Sequence, residues 1–141
     1  AGSSVLELGN LDAKRDWGFA GDYVRGMYMM VQADTADDYV LSTGQTYTVR
    51  HFVERAATIA GFDIEWSGSA ENEIGTDRRS GKVVVKVNPE FYRPAEVDLL
   101  IGDSSKARET LGWKPEVSLD GLVDMMIKAD LERAKKGSIT N

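Results

Sequence analysis

Apolar residues recur every three or four positions in three stretches of the chain, near residues 22–31, 48–61 and 118–131. This spacing puts apolar side chains on one face of a helix, so each stretch is predicted to be helical. Thr48 and Ser118 can cap the second and third helices. We expect the first helix to turn its stripe towards a core. The three stripes consist of Tyr23, Val24, Met27, Tyr28 and Val31, of Val49, Phe52, Val53, Ala56, Ala57 and Ala60, and of Leu119, Leu122, Val123, Met126, Ile127 and Leu131.

Alternating or β-branched apolar residues mark short strands, which we predict at residues 5–8, 39–41, 62–66 and 82–87. Residues 67–81 are rich in glycine and polar residues and are predicted to form a long surface loop. A shorter helix is expected to begin after Asp103 or Ser104 and to end at Gly112. This order of elements predicts an α/β fold with short strands and about four helices.

Composition narrows the classes of function. The length of 141 residues fits one domain. The net charge of −6 disfavours a nucleic-acid partner. The chain contains no cysteine, so a disulfide framework and a thiolate metal site are excluded. It shows no apolar run long enough for a membrane span and no secretory signal, so a cytoplasmic location is predicted. Residues 1–4 are interpreted as a cloning remnant, which leaves 5–141 as the domain.

Signatures of a self-contained catalyst are missing from the sequence. There is no Gly-x-Gly-x-x-Gly fingerprint for a dinucleotide. His51 is the only histidine, and one histidine cannot build a metal site alone. No serine lies in a nucleophile elbow, and the carboxylates show no pairing that demands acid–base chemistry. The sequence therefore predicts a binding protein rather than an independent enzyme.

Three segments carry cations and aromatics together, at residues 10–18, 44–50 and 91–97. In the first, Arg15 can offer two donors to a diphosphate while Trp17 covers a sugar or a base. The alternative is a charged turn in which Trp17 anchors the core. In the second, Arg50 lies in the first turn of a helix, where a cation opposes the helix dipole unless an anion binds there. The alternative is an exposed arginine in solvent.

The third segment combines two aromatics, an arginine and a proline. Pro94 can aim Arg93 at a phosphate, while Glu96 accepts a hydrogen bond from a ribose hydroxyl. The alternative is a surface pair between Arg93 and Glu96, worth at most about 1 kcal/mol. Because the three segments are far apart in sequence, their convergence on one ligand is a hypothesis at this stage.

Taken together, these segments resemble the corresponding segments of GDP-mannose 4,6-dehydratases. The resemblance covers residues 5–131 and begins with a match at residues 8–18, of which residues 10–18 are specific to this family. Later segments are shared more widely among extended short-chain dehydrogenase/reductases that act on nucleotide sugars. The sequence departs from the family pattern at Phe19, where histidine is usual, and at His51, where glutamate is common. The remaining matches are residues 22–24, 43–44, 49–50, 52–53, 81–83, 92–97, 102–103, 106–107 and 111–115.

The resemblance implies the C-terminal substrate-binding portion of an extended short-chain dehydrogenase/reductase, lacking the N-terminal Rossmann half and its catalytic residues. Such enzymes are lyases that use NADP to convert GDP-mannose to GDP-4-keto-6-deoxymannose. The implied contacts to GDP come from Asn10, Lys14, Arg15, Arg50, Arg93 and Glu96, with Arg15 and Arg93 on the diphosphate. We expect this chain alone to be inactive, to bind no NADP or metal, and to form a homo-oligomer through bare apolar surface.

Two other functions remain open. One is a nucleotide-sugar epimerase or reductase of the same superfamily, against which residues 10–18 argue. The other is a non-catalytic interaction module. Binding of GDP-, UDP- and dTDP-sugars would separate the first alternative from the family that the sequence resembles.

Overall fold

The fold is taken from a computed structural model, which describes residues 5–93 and 101–137. Its largest sheet has four strands in the order β1-β6-β5-β4. β1 runs parallel to β6, and the other neighbours are antiparallel. The strands are β1 (Leu6–Leu8), β4 (Ile64–Ser67), β5 (Ile74–Asp77) and β6 (Lys82–Val87).

A smaller sheet joins two distant parts of the chain. It consists of β2 (Lys14–Arg15) and β3 (Tyr47–Thr48), which pair in antiparallel fashion. β3 leads directly into helix α2 (Val49–Ala60). The side chain of Thr48 accepts from the N–H of His51, and Gly61 ends the helix in the left-handed region at a φ of 89°. Both predicted caps of this helix are confirmed.

The α2 helix packs against α4 (Leu119–Lys135), and the two buried valines Val53 and Val123 lie on these helices. Arg55 donates a hydrogen bond to Asp120 across the same pair. The side chain of Ser118 accepts from the N–H of Gly121, as predicted for the α4 cap. Within the described residues, no helix has both the length and the apolar character needed to cross a bilayer.

A second buried centre forms around Trp113, which follows helix α3 (Ser105–Leu111). Its indole N–H donates to the carbonyl of Asp22 in helix α1 (Ala20–Val31) at 2.7 Å. The carboxylate of Asp22 accepts from the backbone N–H groups of Glu116 and Val117. Burial acts to raise the pKa of Asp22, but these bonds and Arg25 outweigh it and lower the pKa. Polar contacts therefore fix the inner side of α1.

Three predictions about secondary structure are wrong. The stripe of α1 does not face a core, because Val24, Met27, Tyr28 and Val31 are exposed. Residues 39–41 form no strand, because no described strand pairs with them. Residues 67–81 are not one loop, since they contain a short 3-10 helix (Ala70–Asn72) and β5, which lies inside the sheet.

Candidate functional site

Two of the three predicted segments follow strands that end on the same side of the large sheet. β1 and β6 are parallel, with Leu8 opposite Val87, so the chain exits both strands side by side. The N–H of Asn88 donates to the carbonyl of Leu8 at 2.8 Å. At Gly9 a Cβ atom would lie 2.4 Å from the carbonyl oxygen of Phe91, so only glycine allows this close approach. The segment that begins at Asn10, after β1, and the segment that runs to Arg93, after β6, are therefore neighbours.

The third segment meets the first at the start of α2. The N–H of Val49 donates to the carbonyl of Ala13, and the N–H of Arg50 donates to the carbonyl of Leu11. Pairing of β2 with β3 extends this contact by placing Lys14 opposite Thr48. The backbone thus brings residues 10–18 and 44–50 together with residues 91–93, the described part of the third segment, around the exit of β1 and β6.

A further link holds the first segment to the loop before β3. The carboxylate of Asp16 accepts from the N–H and hydroxyl of Thr43, at 3.2 and 2.5 Å, and from the N–H of Gly44 at 3.0 Å. Three bonds to one carboxylate fix both partners strongly, since bonds to a charged acceptor are the stronger kind. Residues 10–18 are therefore held by hydrogen bonds to the loop at residues 43–44 and to the start of α2.

The side chains of the first segment have distinct environments. Asn10 uses its carbonyl oxygen to accept from the N–H of Asp12 at 2.9 Å, which closes a local turn. Lys14 is exposed and Arg15 is half-buried, and both lie on β2. Arg15 donates to the carbonyl of Lys14 at 2.7 Å. Two cations are therefore consecutive on a short strand, where neighbouring side chains point to opposite faces.

Arg50 is engaged in a way that the sequence does not reveal. Its guanidinium donates to both carboxylate oxygens of Glu73 and to Asp12, the latter at 2.8 Å. It also lies over the ring of Trp66, with its central carbon 5.2 Å from the ring centroid. The hydrogen bonds to Glu73 are the main cause that raises the pKa of Arg50. Its charge is compensated by protein carboxylates, so neither an exposed arginine nor an uncompensated cation at the helix terminus describes it.

Sequence reasoning missed Glu73 altogether. The residue lies within the stretch predicted to be a surface loop, yet it is buried just before β5. Nothing in its neighbours along the chain distinguishes it from the exposed carboxylates around it. Its partner Arg50 is 23 residues away, so the fold itself is needed to recognise the pair.

The remaining predicted residues lie near or beyond the end of a described range. Arg93 is exposed and follows the two aromatics of its segment. Glu96, together with Pro94, lies outside the described residues, as do residues 1–4. The alternative of a surface pair between Arg93 and Glu96 therefore stays open.

Trp17 lines the wall of a large apolar cavity of about 740 Å³. Its ring packs on Phe52 with the centroids 5.1 Å apart. Much of the remaining lining comes from α2 and the facing sheet, including Val53, Ile64 and Val85. This placement supports the interpretation of Trp17 as an apolar anchor at the base of residues 10–18.

The two departures from the expected pattern also have a place in the structure. Phe19 precedes α1, and its ring fills the space that a Cβ atom on Gly21 would need. His51 stacks on Tyr47, with ring centroids 5.2 Å apart. The cap on Thr48 forms with the backbone of His51, so it does not require glutamate there.

Comparison with known proteins places these observations in a family. The family model described as GDP-mannose 4,6 dehydratase matches residues 1–126. The GDP-mannose 4,6-dehydratase of Sinorhizobium fredii is 55% identical over 127 residues, which are 90% of this chain and 36% of that protein. The human GDP-mannose 4,6 dehydratase is 51% identical over 127 residues, 90% of this chain and 34% of that protein. The chain thus spans about a third of these relatives.

A solved structure shows the same fold at lower identity. RMD from Pseudomonas aeruginosa, complexed with NADPH, has a TM-score of 0.68 and 20% sequence identity. The similarity covers 91% of this chain and 36% of that one. The fold is therefore that of part of an extended short-chain dehydrogenase/reductase, as predicted, with four α-helices and short strands among the described residues.

Proposed function

The chain belongs to the GDP-mannose 4,6-dehydratase family, and from this membership we propose that it is the portion of such an enzyme that binds GDP-mannose. The observation that carries the proposal is the convergence of residues 10–18, 44–50 and 88–93 around the exit of β1 and β6. A nucleoside diphosphate needs several cations in one place. The convergence supports the proposal because Lys14 and Arg15 lie on the first of these segments and Arg93 on the last, despite a net charge of −6.

Different side chains have different roles in this proposal. Arg15 and Arg93 bind the diphosphate, because a guanidinium offers paired donors to phosphate oxygens. Lys14 adds a second cation beside Arg15 on β2. Asn10 keeps its amide N–H groups for the nucleotide, because its oxygen already accepts from Asp12. Glu96 is assigned to a ribose hydroxyl.

The complete enzyme is proposed to convert GDP-mannose to GDP-4-keto-6-deoxymannose with NADP, in the cytoplasm. The NADPH complex of RMD supports a nicotinamide cofactor on this fold. Within 5–93 and 101–137, no strand enters a helix through the glycine-rich turn that holds a dinucleotide diphosphate. Cofactor binding and turnover therefore belong to the remainder of the enzyme, and we expect no 4-keto product from this chain with NADP.

A titration followed by NMR tests the binding proposal, because it detects the weak affinity expected of an isolated portion. The ¹⁵N-labelled chain is titrated with GDP-mannose, GDP, UDP-glucose and a dTDP-sugar. We expect the two guanine nucleotides to shift the amide signals of residues 10–15 and 91–93, and the others to shift them less. Equal responses to all four nucleotides would favour an epimerase or reductase of the superfamily.

Charge variants sharpen this titration. Arg15→Gln and Arg93→Gln should each raise the Kd for GDP about tenfold or more, the cost of a lost charge-assisted bond. Arg78→Gln is the matched control, because Arg78 pairs with Glu65 on the exposed side of β4. If the wild-type chain shows no shift with millimolar GDP-mannose, or if the control weakens binding as much as the two variants, the proposal fails.

A further inference from the structure

The bonds of Arg50 join two parts of the fold that differ in burial. One part is Glu73, whose side chain is 9% exposed and whose carbonyl accepts from the N–H of Val87 on β6. The other is Asp12, whose side chain is 72% exposed in the turn before β2. Arg50 lies between them and is bonded to both. The guanidinium therefore connects the exposed turn to the interior of the sheet.

Glu73 determines where the guanidinium lies. A buried carboxylate requires a partner, because leaving its charge uncompensated away from water is costly. Among the described residues, Arg50 is the one ion-pair partner of Glu73. Trp66 supports the same position from the face of the guanidinium, and its own N–H is fixed by Glu54 at 2.8 Å. The side chain of Arg50 is thus held from two directions before any ligand arrives.

Three of the five N–H donors of Arg50 are used by these contacts. One terminal nitrogen donates to Glu73, and the other donates to both Asp12 and Glu73. A diphosphate bound by the remaining N–H groups of Arg50 would lie close to two carboxylates, which would repel it. These contacts therefore disfavour direct binding of a phosphate by the Arg50 guanidinium.

We propose that Arg50 is a positioning residue and not a phosphate ligand: anchored by Glu73, it holds Asp12 and so fixes the turn that presents Lys14 and Arg15. The proposal rests on the proposed function for the identity of the ligand, and it replaces the direct role that the family resemblance implied for Arg50. It also assigns a role to Glu73, which lies outside the set of contacts predicted from the sequence.

The two possible roles of Arg50 predict opposite signs for one measurement. If Arg50 binds the diphosphate directly, Asp12→Asn removes a competing negative charge and should tighten GDP binding. If Arg50 acts through Asp12, the same variant loosens the turn and should raise the Kd roughly three- to tenfold, about the effect of one lost hydrogen bond. Asp12→Asn is suitable because its side chain is exposed and the chain should fold normally.

The second readout does not depend on any ligand. Amide ¹⁵N relaxation of Lys14 and Arg15 is compared between wild type, Asp12→Asn and Glu73→Gln. We expect faster and wider backbone motion in both variants, and little change in Glu65→Gln, which removes a carboxylate of an exposed pair elsewhere. Arg50→Lys should keep the backbone of Lys14 and Arg15 more mobile than in the wild type, because an ammonium group lacks the fork that bonds two carboxylates.

The outcomes separate this inference from the proposed function. Tighter GDP binding by Asp12→Asn, or unchanged motion of Lys14 and Arg15 in that variant, overturns the positioning role. If wild type binds no GDP, the proposed function fails, while the relaxation data still decide whether Arg50 fixes the turn. If Glu73→Gln does not fold, Asp12→Asn alone carries the test.

Discussion

Helices α1 and α2 are both 12 residues long and carry apolar stripes with the same spacing, yet the stripe of α2 is buried or half-buried and that of α1 is largely exposed. On α2, Val53 is buried against its neighbours. On α1, Val24, Met27, Tyr28 and Val31 are 57 to 80% exposed. The sequence pattern identifies an apolar face on each helix. It does not show whether other residues of this chain pack against that face.

The side of α1 that is covered is unusual for an amphipathic helix. Its buried residues are Asp22 and Gly26. Gly26 is needed there because a Cβ atom would lie 2.9 Å from the indole nitrogen of Trp113 and closer still to Leu41. Hydrogen bonds and one close aromatic contact thus hold α1, whereas apolar packing holds α2. The following predictions use this difference, from the largest expected effect to the smallest.

Trp113→Ala should lower the free energy of unfolding by about 3–5 kcal/mol, the usual cost of deleting a large buried aromatic. The indole is fully buried, and it also bonds the carbonyl of Asp22. Urea denaturation measures the loss. Trp113→Phe keeps most of the volume and should lose clearly less. A loss below about 1 kcal/mol for the alanine variant would mean that α1 is held by something else.

The same valine substitution should distinguish the two helices. Val53→Ala on α2 removes buried methyl groups and should cost roughly 1–3 kcal/mol. Val24→Ala on α1 changes a side chain that is 62% exposed, so its effect should stay within about 0.5 kcal/mol. Both variants are compared by urea denaturation at one pH. Equal losses would show that the stripe of α1 is covered in solution.

Asp22→Asn should destabilise the chain by about 1–2 kcal/mol at pH 7, because it weakens bonds to two backbone N–H groups and Arg25. The pKa of Asp22 is lowered in the fold, so the folded state binds its proton less readily than the unfolded state. Its contribution is complete above the unfolded pKa of about 3.9 and is lost as pH falls through the lowered value.

Urea denaturation between pH 7 and pH 3 tests this dependence. The difference in stability between wild type and Asp22→Asn should shrink below pH 4. A difference that stays constant down to pH 3 would show that Asp22 does not titrate as its contacts require.

The exposed stripe of α1 should also cause weak self-association at high concentration, since large bare apolar patches favour association. Sedimentation equilibrium of wild type is compared with Met27→Lys/Val31→Glu, which should remain monomeric over a wider range of concentration. Asp124→Lys/Lys128→Glu, which exchanges the charges of an exposed pair on α4 and also leaves the net charge unchanged, is the control. A wild-type chain that stays monomeric throughout would contradict the prediction.

Local pattern was sufficient for much of the fold. The caps on Thr48 and Ser118 are confirmed, and so is the strand at Lys82–Val87, because short-range spacing determines such features. β5 was missed because Ile74–Asp77 is short and polar and owes its place to the strands on either side. Residues 39–41 were predicted as a strand because their apolar character is real, but a strand also needs a partner.

The site shows the same division between local and distant information. Composition selected the segments of Arg15, Arg50 and Arg93, and the fold brings these segments together. Which atoms each side chain contacts depends on residues far away in sequence, as Glu73 and Asp16 show. Direct contacts to a ligand remain predictions for Asn10, Lys14, Arg15, Arg93 and Glu96, and for Arg50 the positioning role proposed above replaces the contact.

Gly9 has a consequence for the width of the proposed site. With hydrogen in place of a side chain, it lets the exit of β1 touch the carbonyl of Phe91. Any larger residue there would act as a wedge between the chain carrying Arg15 and the chain carrying Arg93. We therefore expect a residue that itself offers no group for binding to affect how far apart these two stretches of backbone lie.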